Sequence, residues 1–136
     1  MSRSLFLVDT SVWLDVLRPG GENATLRERI ASLLSEDQVA TTGMVLLELL
    51  GGARSEVEYQ RLSDMVSALH SLPAEGSIWE KASRLAFGSR RRGITVPFTD
   101  LLIATVALES EAILLHRDRH YDALASHTSL QVESYV

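Results

Sequence analysis

The sequence predicts an α/β fold, one domain with a central parallel sheet of four or five strands and helices on both faces. Three observations predict it. Short continuous apolar runs, Leu5–Val8 and Ala112–His116, read as strands buried on both sides. The stretches between such runs place apolar residues at helical spacing, so strands and helices alternate as in βαβ units. The chain of 136 residues suits one core, and no linker, internal repeat or low-complexity tract divides it, so residues 1–136 read as one unit.

The elements follow in order. Leu5-Phe6-Leu7-Val8 is the first strand. Asp9-Thr10-Ser11 offers N-cap chemistry to a helix through Val12, Trp13, Leu14, Val16 and Leu17, and Pro19-Gly20-Gly21 ends it. Asn23 caps a second helix with Leu26, Ile30, Leu33 and Leu34 on one face. Gln38–Thr42 is the second strand, and Gly43 opens a helix that Gly51-Gly52 closes. Ser55 begins a helix with Leu62, Met65, Val66 and Leu69, and Ser77 begins one that carries Ile78, Ala82, Leu85 and Ala86 to Gly93. Thr95–Phe98 is a poor central strand because Pro97 lacks an N–H. Thr99 starts a strongly apolar helix, Ala112–His116 is a further strand, Asp118 starts a last short helix, and Leu130–Ser134 alternates as an edge strand does. Six or seven helices are expected in all.

Composition narrows the function. The chain has no cysteine, which excludes disulfides, thiolate metal sites, iron–sulfur clusters and a cysteine nucleophile, and fits a reducing compartment. The apolar stretch near the N-terminus is too short for a secretory segment, and no run approaches the roughly 18 residues of a membrane span. A soluble, cytoplasmic protein is the expectation. The net charge of −5 argues mildly against a general nucleic-acid binder. Of the 13 cations, however, 12 are arginine, whose fork suits phosphate, although a GC-rich genome would give the same bias. No Gly-rich dinucleotide fingerprint, phosphate-binding loop or nucleophile elbow is present.

Ligands of open α/β sheets sit beyond the carboxyl ends of the strands. Asp9 follows the first strand, Glu48 lies in the helix after the second, Asp100 follows the Pro97 segment, and Asp118 follows the late strand. Asp9, Asp100 and Asp118 each also suit a helix N-terminus without any further role. Glu48 stands among Met44, Val45, Leu46, Leu47, Leu49 and Leu50, in a helix expected to be buried on nearly every side. A carboxylate there is costly unless paired or metal-bound, or unless it occupies an exposed stripe. Four acids in one crevice repel, and a hard divalent ion such as Mg²⁺ or Mn²⁺ resolves the repulsion and binds substrate phosphate. The matching chemistry is metal-assisted phosphodiester hydrolysis.

Four segments carry a family likeness: Val8–Leu14, Leu47–Gly52, Val96–Ala104 and Leu114–Tyr121. Together and in order they resemble the PIN-domain ribonucleases, and among them the VapC-like toxins of toxin–antitoxin pairs. The resemblance implies that Asp9, Glu48, Asp100 and Asp118 are catalytic and bind Mg²⁺ or Mn²⁺. It implies an endoribonuclease acting on RNA, a homodimer, and a cognate small antitoxin. Thr10 and Ser11 match a hydroxyl pair that supports Asp9. His116 stands where the family often has Thr or Ser and is the corresponding support near Asp118. Arg117, Arg119 and Arg92 are candidates for contacts with the RNA backbone. A His116–His120 transition-metal site would require both residues on one helix face. The rival to an enzyme is a non-catalytic PIN-like module that binds RNA or protein.

Overall fold

The structure, a computed structural model, describes residues 3–21 and 23–136. Its sheet has five strands, all parallel: β1 (Phe6–Val8), β2 (Val39–Thr42), β3 (His70–Leu72), β4 (Ile113–His116) and β5 (Val132–Ser134), in the order β3-β2-β1-β4-β5. Among the described residues there are seven helices: α1 (Thr10–Val16), α2 (Ala24–Ser35), α3 (Gly43–Gly51), α4 (Glu56–Ser67), α5 (Ile78–Arg91), α6 (Phe98–Ser110) and α7 (Arg119–Ala125). The steps β1→β2→β3 run one way along the sheet and β3→β4→β5 the other. Right-handed crossovers therefore place α1–α4 on one face and α5–α7 on the opposite face. The order reverses beside β1, so a crevice opens beyond the ends of β1 and β4.

The central strands are apolar because both their faces are covered. Leu7, Val8, Leu114 and Leu115 are fully buried. Leu7 stands opposite Leu114 and Val8 opposite Leu115 in the parallel ladder. Each such leucine contributes about 2 kcal/mol through loss of apolar surface from water. In α6 every residue from Leu101 to Ala107 is buried, and the small Ala104 and Ala107 let neighbouring elements close in. Thr105 is tolerated there because its hydroxyl donates to the Leu101 carbonyl at 2.7 Å. The predicted caps form at Asn23, whose Oδ1 accepts from Leu26 N at 2.9 Å, and at Ser55, whose Oγ accepts from Glu58 N.

Three expectations change. β3 has no counterpart in the sequence reading, because His70-Ser71-Leu72 is a short edge strand with little buried apolar surface to announce it. Thr95–Phe98 forms no strand, in keeping with the missing N–H of Pro97, but α6 starts one residue early: Pro97 occupies its N-cap position in extended conformation and the helix begins at Phe98 rather than Thr99. The third is α3, which is not buried all round. Only Val45 and Leu49 are buried, Leu47 is 66% exposed, and Glu48 lies on the exposed side. No helix among the described residues is long and apolar enough to cross a membrane.

Candidate metal centre

The crevice is built from the ends of β1 and β4 and the starts of α1, α6 and α7. Asp9 follows β1 directly. Its backbone N–H donates to Leu115 O at 3.0 Å, which ties the end of β1 to β4. Its side chain caps α1, with Oδ2 accepting from Ser11 N at 3.0 Å and from Ser11 Oγ at 2.6 Å. Ser11 Oγ in turn accepts from Arg117 N at 3.1 Å, so one hydroxyl links the two strand ends. Thr10 Oγ1 donates to Glu48 Oε1 at 2.9 Å and holds Glu48 at the rim of the same crevice.

Asp100 arrives from the first turn of α6 and Asp118 from the N-cap of α7. Asp118 Oδ1 accepts from His120 N at 2.9 Å. His120 Nδ1 lies 3.0 Å from Asp100 Oδ2 and 3.1 Å from Asp118 Oδ1. One ligand atom from each of Asp100, Asp118 and His120 falls within 4.8 Å of the others. Asp9 joins this group through Tyr121, whose hydroxyl donates to Asp9 Oδ1 at 2.7 Å and stands 3.4 Å from Asp100 Oδ1. Burial holds the Asp100 carboxyl above its ordinary pKa; the hydrogen bond from His120 opposes that shift and the charges of Asp118 and Asp9 add to it. Burial likewise pushes the Tyr121 hydroxyl far above its usual range, with Asp9 and Asp100 adding to the effect, so it remains a donor.

His116 is fully buried. Its Nδ1 accepts from Asp118 N at 3.0 Å, which requires the neutral ring to carry its proton on Nε2. Nε2 lies 3.2 Å from Asp122 Oδ1 but outside hydrogen-bond geometry. Burial lowers the pKa of this ring, with the charges of Asp122 and Asp9 opposing. With Nδ1 engaged by the backbone, His116 shares no metal site with His120.

The candidate cations diverge. The Arg117 guanidinium is engaged by Asp15 Oδ2 and by Tyr135 O. Arg119 is exposed at the start of α7, and Arg92 is exposed at the far end of α5. His120 and Tyr121 are the residues the sequence reading did not assign to the site. Their positions two and three residues after a helix-capping Asp turn both side chains back over the first turn.

An all-oxygen carboxylate set with one imidazole at its edge fits a hard divalent cation. The raised Asp100 pKa marks the electrostatic cost that such a cation removes. A match to the PIN domain family model covers residues 6–126. The chain belongs to the PIN domain family. Among PIN relatives, Ribonuclease VapC11 of Mycobacterium tuberculosis is 33% identical over 135 residues, covering 96% of this chain and 99% of that protein. The crystal structure of VapBC2 from Rickettsia felis, bound to a fragment of promoter DNA, superimposes with a TM-score of 0.79 at 18% identity. It covers 97% of this PIN chain and 99% of that one. VapBC-5 of M. tuberculosis, a member of the VapBC family of toxin–antitoxin systems, superimposes with a TM-score of 0.68 at 25% identity, covering 97% and 99%.

Proposed function

We propose that this PIN domain, residues 1–136 as one unit, is a cytoplasmic Mg²⁺- or Mn²⁺-dependent endoribonuclease and the toxin of a toxin–antitoxin pair. The observation that carries the reading is the convergence of Asp9, Asp100 and Asp118 beyond β1 and β4, with Glu48 at the rim. The resemblance to a named ribonuclease over nearly the whole chain supports RNA as the substrate.

Asp9, Asp100 and Asp118 would hold the ion, with Glu48 binding it directly or through water, or orienting the attacking water. When bound, the ion supplies an activated water and neutralises charge at the phosphate. The chain's own residues do the positioning. Ser11 fixes one oxygen of Asp9, Thr10 restrains Glu48, and His116 fixes the backbone at Asp118. With the Arg117 guanidinium engaged by Asp15 and Tyr135, Arg119, exposed at the start of α7, would be the one of the two to meet the RNA backbone. A homodimer is supported by large apolar side chains left in solvent: Leu47 at 66%, Trp79 at 62% and Phe98 at 69% exposure. Trp79 and Phe98 border a groove of about 370 Å³. The likeness to VapBC assemblies supports an antitoxin partner, and an acidic crevice is a natural target for a partner's arginine.

The test is cleavage of total cellular RNA with Mg²⁺ or Mn²⁺, with chelator and with the Asp100→Asn protein, followed by mapping of the new ends. Metal-dependent cuts absent from both controls support the reading. Full activity in Asp100→Asn, or equal RNA retention with no cleavage in metal and in chelator, sinks it.

A further inference from the structure

We propose that Tyr121 is a positioning residue of the acidic centre, its hydroxyl holding Asp9 beside Asp100 so that Asp9 is in place before a cation binds. The inference rests on the metal-dependent reading above. Tyr121 lies in the first turn of α7, three residues after the capping Asp118. It is fully buried, and its ring packs on the His116 ring at 5.1 Å between centroids with a tilt of 57°. His116 itself holds the Asp118 backbone. The phenol ring is thus packed on every side.

The hydroxyl has one proton, and the 2.7 Å distance gives it to Asp9 Oδ1, with Asp100 Oδ1 second at 3.4 Å. Asp9 is then held at both oxygens, by Tyr121 on one and by Ser11 N and Oγ on the other. Oδ2 already accepts two hydrogen bonds, but Oδ1 accepts one and keeps a lone pair, so Asp9 is oriented and can still bind an ion. The phenolic oxygen also stands between two carboxylates drawn from different elements. A buried tyrosine that merely satisfies its hydroxyl at the nearest acceptor would show the same hydrogen bond, and the test separates the two.

Tyr121→Phe keeps the ring and removes the hydroxyl. Tyr135→Phe is the control, because the Tyr135 hydroxyl donates at the same 2.7 Å to Glu133 Oε2 of the edge strand and not to any of the four acids. Mn²⁺ binding to the RNA-free proteins is followed by electron paramagnetic resonance titration, and melting temperature is recorded beside it. Tyr121→Phe is expected to weaken Mn²⁺ binding about 10-fold, the usual scale for a residue that supports a metal ligand, and Tyr135→Phe to leave it unchanged. In cleavage assays the metal concentration for half-maximal rate rises in proportion, while the rate at saturating metal falls less. An unchanged or tighter Mn²⁺ constant in Tyr121→Phe, whatever happens to its melting temperature, overturns the positioning role. Failure of the wild type to bind Mn²⁺ at all overturns the metal-dependent reading, and this inference with it.

Discussion

Asp100 shows how one residue of the proposed centre weighs on the fold. Its side chain is 13% exposed, burial disfavours its charge, and Asp118 and Asp9 add to that penalty. A carboxyl whose pKa is raised by folding contributes most below its ordinary value of 3.8, and that contribution is lost as the pH rises and the group ionises. At neutral pH and without metal, Asp100 therefore opposes folding. Asp100→Asn should melt above the wild type in chelator at pH 7, with the gap shrinking towards pH 4. Added Mn²⁺ should raise the wild type and not the variant, because only the wild type gains binding free energy. The same variant should lose at least about 100-fold in cleavage, more than the loss of a supporting residue causes. Differential scanning calorimetry with and without Mn²⁺ reads both stability effects. A variant less stable than the wild type in chelator would show that the Asp100 charge is not the burden inferred.

Among the secondary-structure elements, α6 and β5 carry clear liabilities. The α6 helix ends at Glu111 in the left-handed region, φ 54°, where a side chain is strained and glycine is not. Glu111→Gly should stabilise the protein by about 0.5–1 kcal/mol, after subtracting the extra freedom glycine gives the unfolded chain. A melting temperature unchanged or lowered would show that the Glu111 side chain offsets its backbone. The edge strand β5 is fastened by a two-pronged pair, Arg29 Nε and Nη2 each 2.9 Å from a Glu133 oxygen. This hydrogen bonding holds the Glu133 carboxyl below its ordinary 4.5, so its stabilisation is present above that pH and is lost as the pH falls. The pair is about one-third exposed, so its worth is near 1 kcal/mol at most. Glu133→Gln should lower the melting temperature by about 4 °C at pH 7, and by progressively less as the pH falls through the lowered Glu133 pKa. A gap that does not shrink with falling pH would mean that packing, not charge, holds β5.

The whole molecule presents one unusual surface. Trp79 and Phe87 lie two turns apart along α5, and Phe98 at the start of α6 extends the patch. Arg90 and Arg91 sit over the Phe98 and Phe87 rings, each 5.6 Å from the centroid, and give the patch a polar rim. An apolar centre with a cationic border is the anatomy of a protein interface. If this face joins two copies, Trp79→Glu should shift the wild-type dimer to monomer in light scattering coupled to size exclusion. It should do so without lowering helix content, because Trp79 contributes little to the core. A wild type that is monomeric at micromolar concentration would remove the homodimer from the reading and leave the patch to a different protein.

Local chemistry was enough to expose most of the fold and to bring Asp9, Glu48, Asp100 and Asp118 forward as candidates. Buried parallel strands must be continuously apolar, as Leu5–Val8 and Ala112–Leu115 are, and Asp at strand ends and helix starts is visible by position. β3 escaped because a three-residue polar edge strand has no periodicity of its own. It exists because β2 offers it hydrogen bonds: Thr41 stands opposite Ser71, and Thr42 Oγ1 donates to Leu72 O. The exposure of Glu48 and Leu47 escaped for a related reason. Nothing local tells a helix which of several apolar faces its neighbours will cover. His120 and Tyr121 were legible as residues of a motif but not as partners of Asp100 and Asp9, 20 and 112 residues away. Likewise Arg117 read as a cation free for RNA until the fold set Asp15 beside it. Composition and spacing dictate which groups are available at each strand end. Which of them touch is decided only when the sheet order brings β1 beside β4, because a hydrogen bond depends on ångström distances that sequence separation does not encode.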